Sequence, residues 1–377
     1  MIPVSEPDLS GNELDYITDC VKTGWISSAG NYITAFESGW AAYCGKKFGI
    51  AVSNGTTALD VAVHCLGIKP GDEVILPSFT IISCALAVVR NGGVPVLVDC
   101  DPVTWTMDTG QVRKKITART KAIMPVHIYG HPVDMDPILE LAEENNLAII
   151  EDAAEAHGAM YLSTRNSGKG WRRCGSFGTF SCFSFYANKL ITTGEGGMVL
   201  TDDAALAEKA RAYRDLCFQR ERRFCHEHLG NNYRLTNLQA ALGVAQMERM
   251  DAIIERKRHI AGEYNRQLQD ITGIQLPAEK PFARSVYWMY GIVLSETSGT
   301  DNRTFSDSLR ERGVESRPFF IGMHEQPALK KLGLFLNEQY PVTERLARRG
   351  LYLPTGLTLT DGQVCEVTAA VRAVLGR

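Results

Sequence analysis

The chain has 377 residues, of which 45% are hydrophobic and 22% are charged, with 34 glycines and 15 prolines. This composition is that of a globular protein and excludes a disordered, collagen-like or coiled-coil chain. The 40 basic and 43 acidic residues give a net charge of -3, without the basic excess that binding to nucleic acids or anionic membranes usually requires. The length predicts a large domain followed by a smaller one.

The amino terminus and the cysteines indicate where the protein works. Met1–Asp8 lacks the basic and apolar segments of a secretory signal, and apolar runs such as Cys84–Val89 are too short to span a bilayer. The ten cysteines are scattered, mostly within apolar runs, and none forms a Cys-x-x-Cys pair. This pattern is typical of reduced, core-filling thiols rather than of disulfides or a zinc site. We therefore expect a cytoplasmic protein with no membrane, nucleic-acid or metal partner.

The first 200 residues alternate short β-branched runs with helical patterns, which predicts a mostly parallel sheet covered by helices on both faces. The predicted strands are Phe48–Ser53, Glu73–Leu76, Val94–Val98, Lys121–Val126, Leu147–Glu151, Ser181–Phe185 and Gly196–Thr201. The helices predicted between them are Thr57–Leu66, Ile81–Asn91 and Pro137–Asn145. Ligands of such sheets bind beyond the carboxyl ends of the strands, so the loops at those ends are expected to carry the chemistry.

Two longer helices follow, over Asp203–Phe218 and Leu235–Arg258, and the second is amphipathic and long enough to bridge two domains. The C-terminal part is predicted to contain one strand and two helices, over Val286–Leu294, Thr304–Arg312 and Asp361–Val374. We place the domain boundary at Met250, which gives a large domain over residues 1–249 and a small domain over residues 250–377.

Three segments at the ends of predicted strands contain residues suited to chemistry. Ser53–Ala58 leads from a strand into a helix, where free amides and threonine hydroxyls can hold a phosphate; taken alone, an ordinary helix cap is the simpler interpretation. Asp152 ends an apolar strand and could pair with a buried cation or cap the next helix. Lys189 stands between an aromatic strand and a Gly-rich loop, where desolvation favours the neutral, nucleophilic amine, although most lysines are simply solvated.

Together, the three segments predict a site for pyridoxal phosphate. That cofactor needs a lysine for its Schiff base, an anion that keeps its pyridinium nitrogen protonated, and donors to its phosphate. A protonated ring nitrogen makes the ring an acceptor for the electrons of a substrate carbanion, whereas a neutral ring is a much poorer acceptor.

Several long motifs resemble those of the DegT/DnrJ/EryC1/StrS family of sugar aminotransferases, and the resemblance covers nearly the whole chain. The motifs are Gly24–Ser28, Ser53–Leu59, Gly71–Pro77, Glu151–Gly158, Phe183–Gly197 and Asn232–Asn237. The resemblance implies an α/β fold of the aspartate-aminotransferase type (type I among pyridoxal phosphate enzymes), with a large domain built on a mostly parallel sheet and a smaller C-terminal α+β domain. It also implies a homodimer with shared active sites.

The resemblance implies a role for each matching residue around the cofactor. Lys189 would bond to pyridoxal phosphate and move protons, Asp152 would bind the pyridinium nitrogen, and Glu155 would lie near the phenolic oxygen. The phosphate would be held by Thr56, the Thr57 amide and Ser184.

The same resemblance extends to the substrate and to the partner subunit. Asn232 matches a residue that family members donate across a dimer interface. The nucleotide-sugar pocket would be lined by Trp25, Arg317 and His324. A guanidinium suits a diphosphate because its fork matches phosphate oxygens, while a surface ion pair is the alternative for an arginine at this position.

Two features depart from the family pattern. Many relatives have an aromatic residue that stacks on the cofactor ring at the position of Ile81, which offers only an aliphatic face unless neighbouring Phe79 substitutes for it. The segment Ser163–Arg173 is longer than the family loop and is polar and basic, so we predict an exposed, solvated insertion rather than a lid or a partner contact.

Within the family, the chain resembles the members that form GDP-perosamine in O-antigen biosynthesis, through Val126–Met135, Asn188–Gly197 and Glu315–Phe320 with His324. The implied reaction moves the amino group of L-glutamate to C4 of a nucleotide-linked 4-keto-6-deoxy sugar, GDP-4-keto-6-deoxy-D-mannose. A UDP- or dTDP-linked keto sugar is the alternative substrate, because loop changes alone could switch the nucleotide.

Other classes of enzyme or binding protein fit the residues less well. A sugar deoxygenase of the family has histidine in place of Lys189, and a dinucleotide-dependent oxidoreductase would need Gly-x-Gly-x-x-Gly in place of Ser53–Ala58. A regulator that merely binds the cofactor would not need both the lysine and the sugar pocket.

Overall fold

The structure is a computed structural model and describes residues 1–166, 168–219 and 221–376. The N-terminal elements are α1 (Glu13–Thr23), α2 (Asn31–Cys44), β1 (Phe48–Val52), α3 (Gly55–Cys65), β2 (Glu73–Pro77), α4 (Ser83–Arg90), β3 (Val94–Val98), α5 (Thr109–Lys115), β4 (Thr120–Ile123), α6 (Met135–Asn145) and β5 (Ala148–Asp152). The elements that follow are β6 (Met160–Ser163), β7 (Gly170–Arg173), β8 (Phe180–Ser184), β9 (Gly197–Thr201), α7 (Ala204–Arg214), α8 (Asn237–Met247), α9 (Met250–Leu268), β10 (Ile274–Gln275), β11 (Ala283–Arg284), β12 (Tyr290–Leu294), α10 (Asn302–Glu311), β13 (Arg317–Pro318), α11 (Pro327–Lys331), α12 (Pro341–Arg349), β14 (Gly350–Leu353) and α13 (Asp361–Val374).

A seven-stranded sheet in the order β1-β9-β8-β5-β4-β2-β3 forms the centre of the N-terminal part. Strands β3, β2, β4, β5 and β8 pair in parallel, and β9 runs antiparallel to both of its neighbours, β1 and β8. All residues of β2, β8 and β9 are buried, as expected for a sheet covered on both faces. The predicted α/β class and the mostly parallel sheet are therefore confirmed.

A smaller antiparallel sheet in the order β10-β12-β14-β13 forms the centre of the C-terminal part. The buried side chains of α9, including Ile260 and Tyr264, form a separate apolar core with those of α13, including Val367 and Val371. Helix α9 begins at Met250, where we place the domain boundary, and that division stays a prediction. None of the helices in the described ranges combines the length and the apolar character needed to cross a membrane.

The single helix predicted over Leu235–Arg258 is wrong, because the structure has two helices there, α8 and α9. The chain leaves helical geometry at Arg249, whose guanidinium Nη2 lies 2.6 Å from a carboxylate oxygen of Asp8. The side-chain amide of Gln246 donates through Nε2 to the main-chain carbonyl of Asp8 at 2.8 Å. These contacts with the N-terminal segment fix the break, and they join residues that are too far apart in sequence for the periodicity of Leu235–Arg258 to reveal them.

The strand predicted over Val286–Leu294 begins only at Tyr290 in the structure. Tyr287 has a φ of 47°, in the left-handed region that an L side chain rarely adopts, so the backbone cannot be extended there. The residues before the strand instead form a buried loop that includes Trp288. This loop reaches the cavity described below.

The prediction that Ser163–Arg173 is an exposed loop is wrong at both ends. Strands β6 and β7 form an antiparallel hairpin there, and β11 pairs with the other edge of β6. The Ser163 hydroxyl is buried and donates to a carboxylate oxygen of Asp136 at 2.6 Å. The Arg172 guanidinium lies 4.4 Å from the ring centroid of Phe177, which also explains why basic residues can occur in a packed hairpin. Ser167 of this segment lies outside the described residues.

Lys257 is a buried lysine on the side of α9 that faces Trp288 and Thr355. Its Nζ donates to the carbonyl of Trp288 at 2.8 Å and to that of Thr355 at 2.6 Å. Burial lowers the pKa of Lys257 to about 7 from its ordinary value of 10.5. A neutral amine still has two N–H donors, so Lys257 can lose its proton on burial and keep both hydrogen bonds.

This predicts how stability depends on pH. Between pH values of about 7 and 10.5 an unfolded Lys257 binds a proton that the folded one does not, so the unfolding free energy rises with pH. We expect Lys257→Met to reduce that slope by up to about 1.4 kcal/mol per pH unit in urea unfolding experiments across this window. The matched substitution of an exposed lysine, Lys330→Met, should leave the slope as it is. Equal slopes for both variants would contradict the buried, neutral state of Lys257.

Candidate active site

A cavity of about 600 Å³ opens at the carboxyl ends of β1, β2, β5 and β8, where ligands bind in sheets of this kind. Aromatic side chains of the C-terminal part, Trp288, Phe320 and Tyr352, line its other wall. Six residues that the sequence assigns to the cofactor meet in this cavity: Thr56, Thr57, Asp152, Glu155, Ser184 and Lys189. Residues that lie up to 133 positions apart in the chain thus form one site.

The first turn of α3 forms one end of the cavity. The side-chain oxygen of Asn54 accepts from the Thr57 amide at 2.9 Å, and the Thr57 hydroxyl oxygen accepts from the Asn54 amide at 3.2 Å. The Thr57 amide is therefore used by a capping box. Helix geometry leaves the amides of Gly55 and Thr56 without intrahelical acceptors, and the Thr56 hydroxyl lies 2.8 Å from that of Ser83. A helix cap and an anion site are alternative interpretations of the sequence here. The structure accommodates both, because the cap uses the Thr57 amide and leaves those of Gly55 and Thr56 for an anion.

Gly55 allows α3 to approach β8 closely. A Cβ atom on Gly55 would lie 2.6 Å from the Cβ of Ser184, a distance that real side chains do not reach. Without it, the first-turn amides and the hydroxyls of Thr56 and Ser184 line the same end of the cavity, at the positive end of the helix dipole. This end of the cavity fits a phosphate group.

Asp152 ends β5 and lies with 2% of its surface exposed. One carboxylate oxygen accepts from the Ala154 amide at 3.0 Å, and the other accepts from the Cys84 thiol at 3.1 Å. Burial raises the pKa of Asp152 above its ordinary value of 3.8. A cation bound in the cavity would favour the ionised carboxylate, so Asp152 fits the protonated nitrogen of a pyridine ring.

Lys189 extends into the cavity from the loop after β8, where its side chain is only 10% exposed. Its Nζ lies 3.6 Å from a carboxylate oxygen of Glu155 and 3.6 Å from the ring centroid of Trp288. Burial lowers the pKa of Lys189 below its ordinary value of 10.5, and the carboxylates of Glu155 and Asp152 partly oppose that change. The amine therefore loses its proton more easily than a surface lysine does and is suited to attack a carbonyl.

Glu155 is held by an unusual backbone conformation. The amide of Tyr129 donates to the second carboxylate oxygen of Glu155 at 2.7 Å, and Tyr129 has a φ of 53°. A left-handed conformation at a tyrosine is costly and occurs where the surrounding structure imposes it, often at functional sites. Burial raises the pKa of Glu155 to about 7, so this carboxyl group can exchange a proton near neutral pH.

Two of the predicted residues, Asn232 and Trp25, lie on the surface outside the cavity lining of this chain. Asn232 forms a β-bridge with Asp215, and Trp25 accepts a hydrogen bond from Asn237 through its main-chain carbonyl at 2.7 Å. Their side chains are free to face another molecule. A single chain therefore does not bring these two residues to the site.

The other two predicted substrate residues differ from each other in burial. Arg317 is exposed, with its Nη2 3.4 Å from a carboxylate oxygen of Glu315, and it pairs across β13 and β14 with Tyr352 of the cavity wall. His324 is only 3% exposed and lies against Tyr340, with its Nε2 3.3 Å from a Glu344 carboxylate oxygen. The structure thus places Arg317 beside the cavity and does not bring His324 to its lining.

The sequence does not predict that several other residues belong to the site. Cys84 and Trp288 read as core residues, and only their contacts with Asp152 and Lys189 reveal another role. Of the two candidates to pack on a cofactor ring, Ile81 lines the cavity, whereas Phe79 is buried in an aromatic cluster with Tyr129.

The site combines a lysine whose pKa is lowered by burial, two carboxylates and a helix end suited to an anion, and on this α/β fold it defines an enzyme of the pyridoxal phosphate-dependent class. Comparison with family models gives the finer assignment. The chain belongs to the DegT/DnrJ/EryC1/StrS aminotransferase family, whose pattern matches residues 7–372. Aminotransferases of this family use pyridoxal phosphate. The predictions of family, enzyme class and cofactor are therefore confirmed.

Known proteins similar to this chain include two named GDP-perosamine synthase. The one from Caulobacter vibrioides is 44% identical and the match covers 99% of this chain and 98% of the relative. The one from Escherichia coli O157:H7 is 40% identical, over 98% of this chain and 97% of the relative. Among solved structures, the aminotransferase TlmJ from Streptoalloteichus hindustanus matches with a TM-score of 0.91 and 30% identity, over 100% of this chain and 99% of that chain. The aspartate-aminotransferase-like fold is confirmed.

The contact between Lys189 and Glu155 predicts a direction for one pKa. In Glu155→Gln the carboxylate 3.6 Å from the amine is lost while the size of the side chain is kept. Because an opposite charge favours the charged form, we expect the pKa of Lys189 to fall further in this variant. Competitive acetylation of the cofactor-free protein across pH, read by mass spectrometry at Lys189, measures that pKa.

The matched control for this experiment is Glu195→Gln, which removes an exposed carboxylate that also lines the cavity. Solvent screens an exposed charge, so the pKa of Lys189 should change much less in this variant. An unchanged or higher pKa of Lys189 in Glu155→Gln would show that the two groups do not interact as the geometry indicates.

Proposed function

We propose that the protein transfers the amino group of L-glutamate to C4 of GDP-4-keto-6-deoxy-D-mannose, forming GDP-perosamine and 2-oxoglutarate. The observation that carries the proposal is the buried Lys189 amine, 3.6 Å from the Glu155 carboxylate in a cavity that also has a phosphate-binding end. Similarity over nearly the whole length to two GDP-perosamine synthases favours the GDP-linked sugar over a UDP- or dTDP-linked one.

The cavity residues divide into those that hold the cofactor and those that act on protons. The amides of Gly55 and Thr56, together with the Ser184 hydroxyl, would hold the phosphate, with the capped Thr57 completing the helix turn. Asp152 would pair with the ring nitrogen. Ile81 would contribute an aliphatic face to the ring, because its side chain lines the cavity and is 41% exposed.

Pyridoxal phosphate, when bound, supplies a carbonyl for imine formation and a ring that accepts the electrons released when a carbon loses its proton. Lys189 has the roles of nucleophile and proton carrier, since burial weakens its hold on a proton. Glu155 holds or releases a proton beside the amine, because its pKa of about 7 lies near neutral pH. The Trp288 ring, 3.6 Å from Nζ, limits the positions open to the amine and excludes water from one side.

The nucleotide part of the substrate would bind at the mouth of the cavity. Arg317 is exposed there beside Tyr352, and its guanidinium suits a diphosphate. Trp25 would contact the substrate from its exposed position. The burial of His324 argues for an indirect role, in which it supports the segment after β13 rather than touching the sugar.

We also propose that the active unit is a homodimer with shared sites in the cytoplasm. Asn232 is exposed and lies outside the cavity of its own chain, as expected for a residue that acts in the partner's site. Large exposed apolar side chains, Trp25, Ile26, Phe224 and Leu229, are typical of an interface. The ten cysteines, all within the described residues, are unpaired, which suits a reducing compartment. The product would be an activated amino sugar for O-antigen biosynthesis.

The direct test supplies the purified protein with pyridoxal phosphate, L-glutamate and each of the GDP-, UDP- and dTDP-linked 4-keto-6-deoxy sugars. We expect an amino sugar from the GDP-linked substrate and equimolar 2-oxoglutarate, measured by mass spectrometry. Lys189→Ala should reduce turnover by more than about 10³-fold and remove the visible absorbance of the bound cofactor, because no other amine lines the cavity among the described residues.

The control for this experiment is Lys169→Ala, an exposed lysine of the β6–β7 turn, which should keep both turnover and absorbance. Preference for a dTDP- or UDP-linked sugar would overturn the substrate assignment. Turnover by Lys189→Ala would overturn the assignment of the lysine.

Shared sites make a specific prediction for mixed dimers. Asn232→Ala and Lys189→Ala proteins should each be inactive or nearly so. When the two variants are denatured together and refolded in equal amounts, half of the dimers would contain one chain of each variant. In these mixed dimers, one site would carry both defects and the other site would carry none. We therefore expect recovery of about a quarter of the wild-type activity. If Asn232 acted within its own chain, each site of a mixed dimer would carry one defect and no activity would return.

A further inference from the structure

Cys84 makes a direct contact with the carboxylate at the centre of the site. It lies on α4, is fully buried, and its Sγ is 3.1 Å from Oδ2 of Asp152. The Thr80 hydroxyl oxygen is 3.3 Å from the same sulfur. The sequence predicts only a core-filling thiol at this position, and core filling does not explain a short contact with a buried carboxylate.

The direction of the hydrogen bonds follows from the groups present. An ionised carboxylate only accepts, so the single proton of the Cys84 thiol is donated to Asp152, and the Thr80 hydroxyl donates to the sulfur. Burial and the Asp152 charge raise the pKa of Cys84 well above its ordinary value, so the thiol keeps this proton. The thiol therefore remains available as a donor to Asp152.

The second oxygen of Asp152 is also occupied, by the Ala154 amide at 3.0 Å. Two donors from different elements, α4 and the loop after β5, thus fix the plane of the carboxylate. The thiol hydrogen bond lowers the pKa of Asp152 and opposes the effect of burial, which favours the protonated acid. A protonated Asp152 could not keep a pyridine nitrogen charged.

We propose that Cys84 is a positioning residue that orients Asp152 and keeps it ionised as the partner of the cofactor's ring nitrogen. The proposal rests on the proposed function, since it assumes that pyridoxal phosphate binds in this cavity. Cys84 is not one of the residues that line the cavity, so it would act through Asp152. A thiol that merely fills space predicts that any side chain of similar size works equally well.

Cys84→Ser and Cys84→Ala form a matched pair, because they differ only in a hydroxyl donor. The cofactor-free proteins are titrated with pyridoxal phosphate by absorbance, and the pH midpoint of the visible band is measured for the loaded proteins. Hydrogen bonds to charged groups are among the stronger ones, so we expect about tenfold weaker binding for Ala and a change within about twofold for Ser. The pH midpoint of the visible band should differ from that of the wild type in Cys84→Ala and equal it in Cys84→Ser.

A second measurement does not require any Cys84 variant to be as stable as the wild type. The S–H stretching band of Cys84 in the cofactor-free wild type, identified by its loss in Cys84→Ser, should lie at lower frequency than that of Cys65. The Cys65 thiol is also buried, at the end of α3. Asp152→Asn should shift the Cys84 band and leave the Cys65 band in place. Coincident bands would overturn the proposal, as would equal affinity and equal pH midpoint for Ser and Ala.

The outcomes separate this proposal from the proposed function. If the wild type bound no pyridoxal phosphate, the proposed function would fail at the first titration. If the wild type bound it and Cys84→Ala matched both the wild type and the buried-cysteine control Cys65→Ala, only the role of Cys84 would fail. Urea unfolding of each variant without cofactor separates a loss of affinity from a loss of fold.

Discussion

The site depends on burying an amine and two carboxylates together in one cavity. Burial alone would neutralise each of them, lowering the pKa of Lys189 and raising those of Asp152 and Glu155. The opposite charges of the amine and the carboxylates oppose these changes, whereas the Asp152 charge adds to the rise in the pKa of Glu155, which reaches about 7. Without the amine, two like charges would be buried together.

The fold provides this arrangement by ending parallel strands at one edge. Asp152 ends β5, Lys189 follows β8, and the first turn of α3 follows β1, so sheet order rather than sequence order sets their spacing. Two local features of the backbone then set the positions of individual groups in the site. Gly55 lets the first turn of α3 approach Ser184 closely, and the left-handed Tyr129 turns its amide toward Glu155. The left-handed conformation of Tyr129 costs stability, which the contact of its amide with Glu155 helps to offset.

The sequence allowed prediction of what repeats locally. The strands of the central sheet and the last helix, Asp361–Val374, follow from periodicity, and Lys189 and Asp152 follow from motifs at strand ends. It did not reveal the break at Arg249, the hairpin within Ser163–Arg173 or the burial of His324, because each is fixed by a partner far away in the chain. It also gave no signal for the first two helices, which precede the strand–helix alternation.

Two buried lysines in this protein show why burial alone does not make a catalytic group. Lys257 and Lys189 both have lowered pKa values, and in both burial is the main cause. The Lys257 amine donates hydrogen bonds to two carbonyls in the interior, away from the cavity, and so links α9 to the loop that contains Trp288. The Lys189 amine faces carboxylates and the open cavity, so its lone pair is available to a ligand. Since Trp288 also packs over Lys189, Lys257 helps to place the reactive lysine.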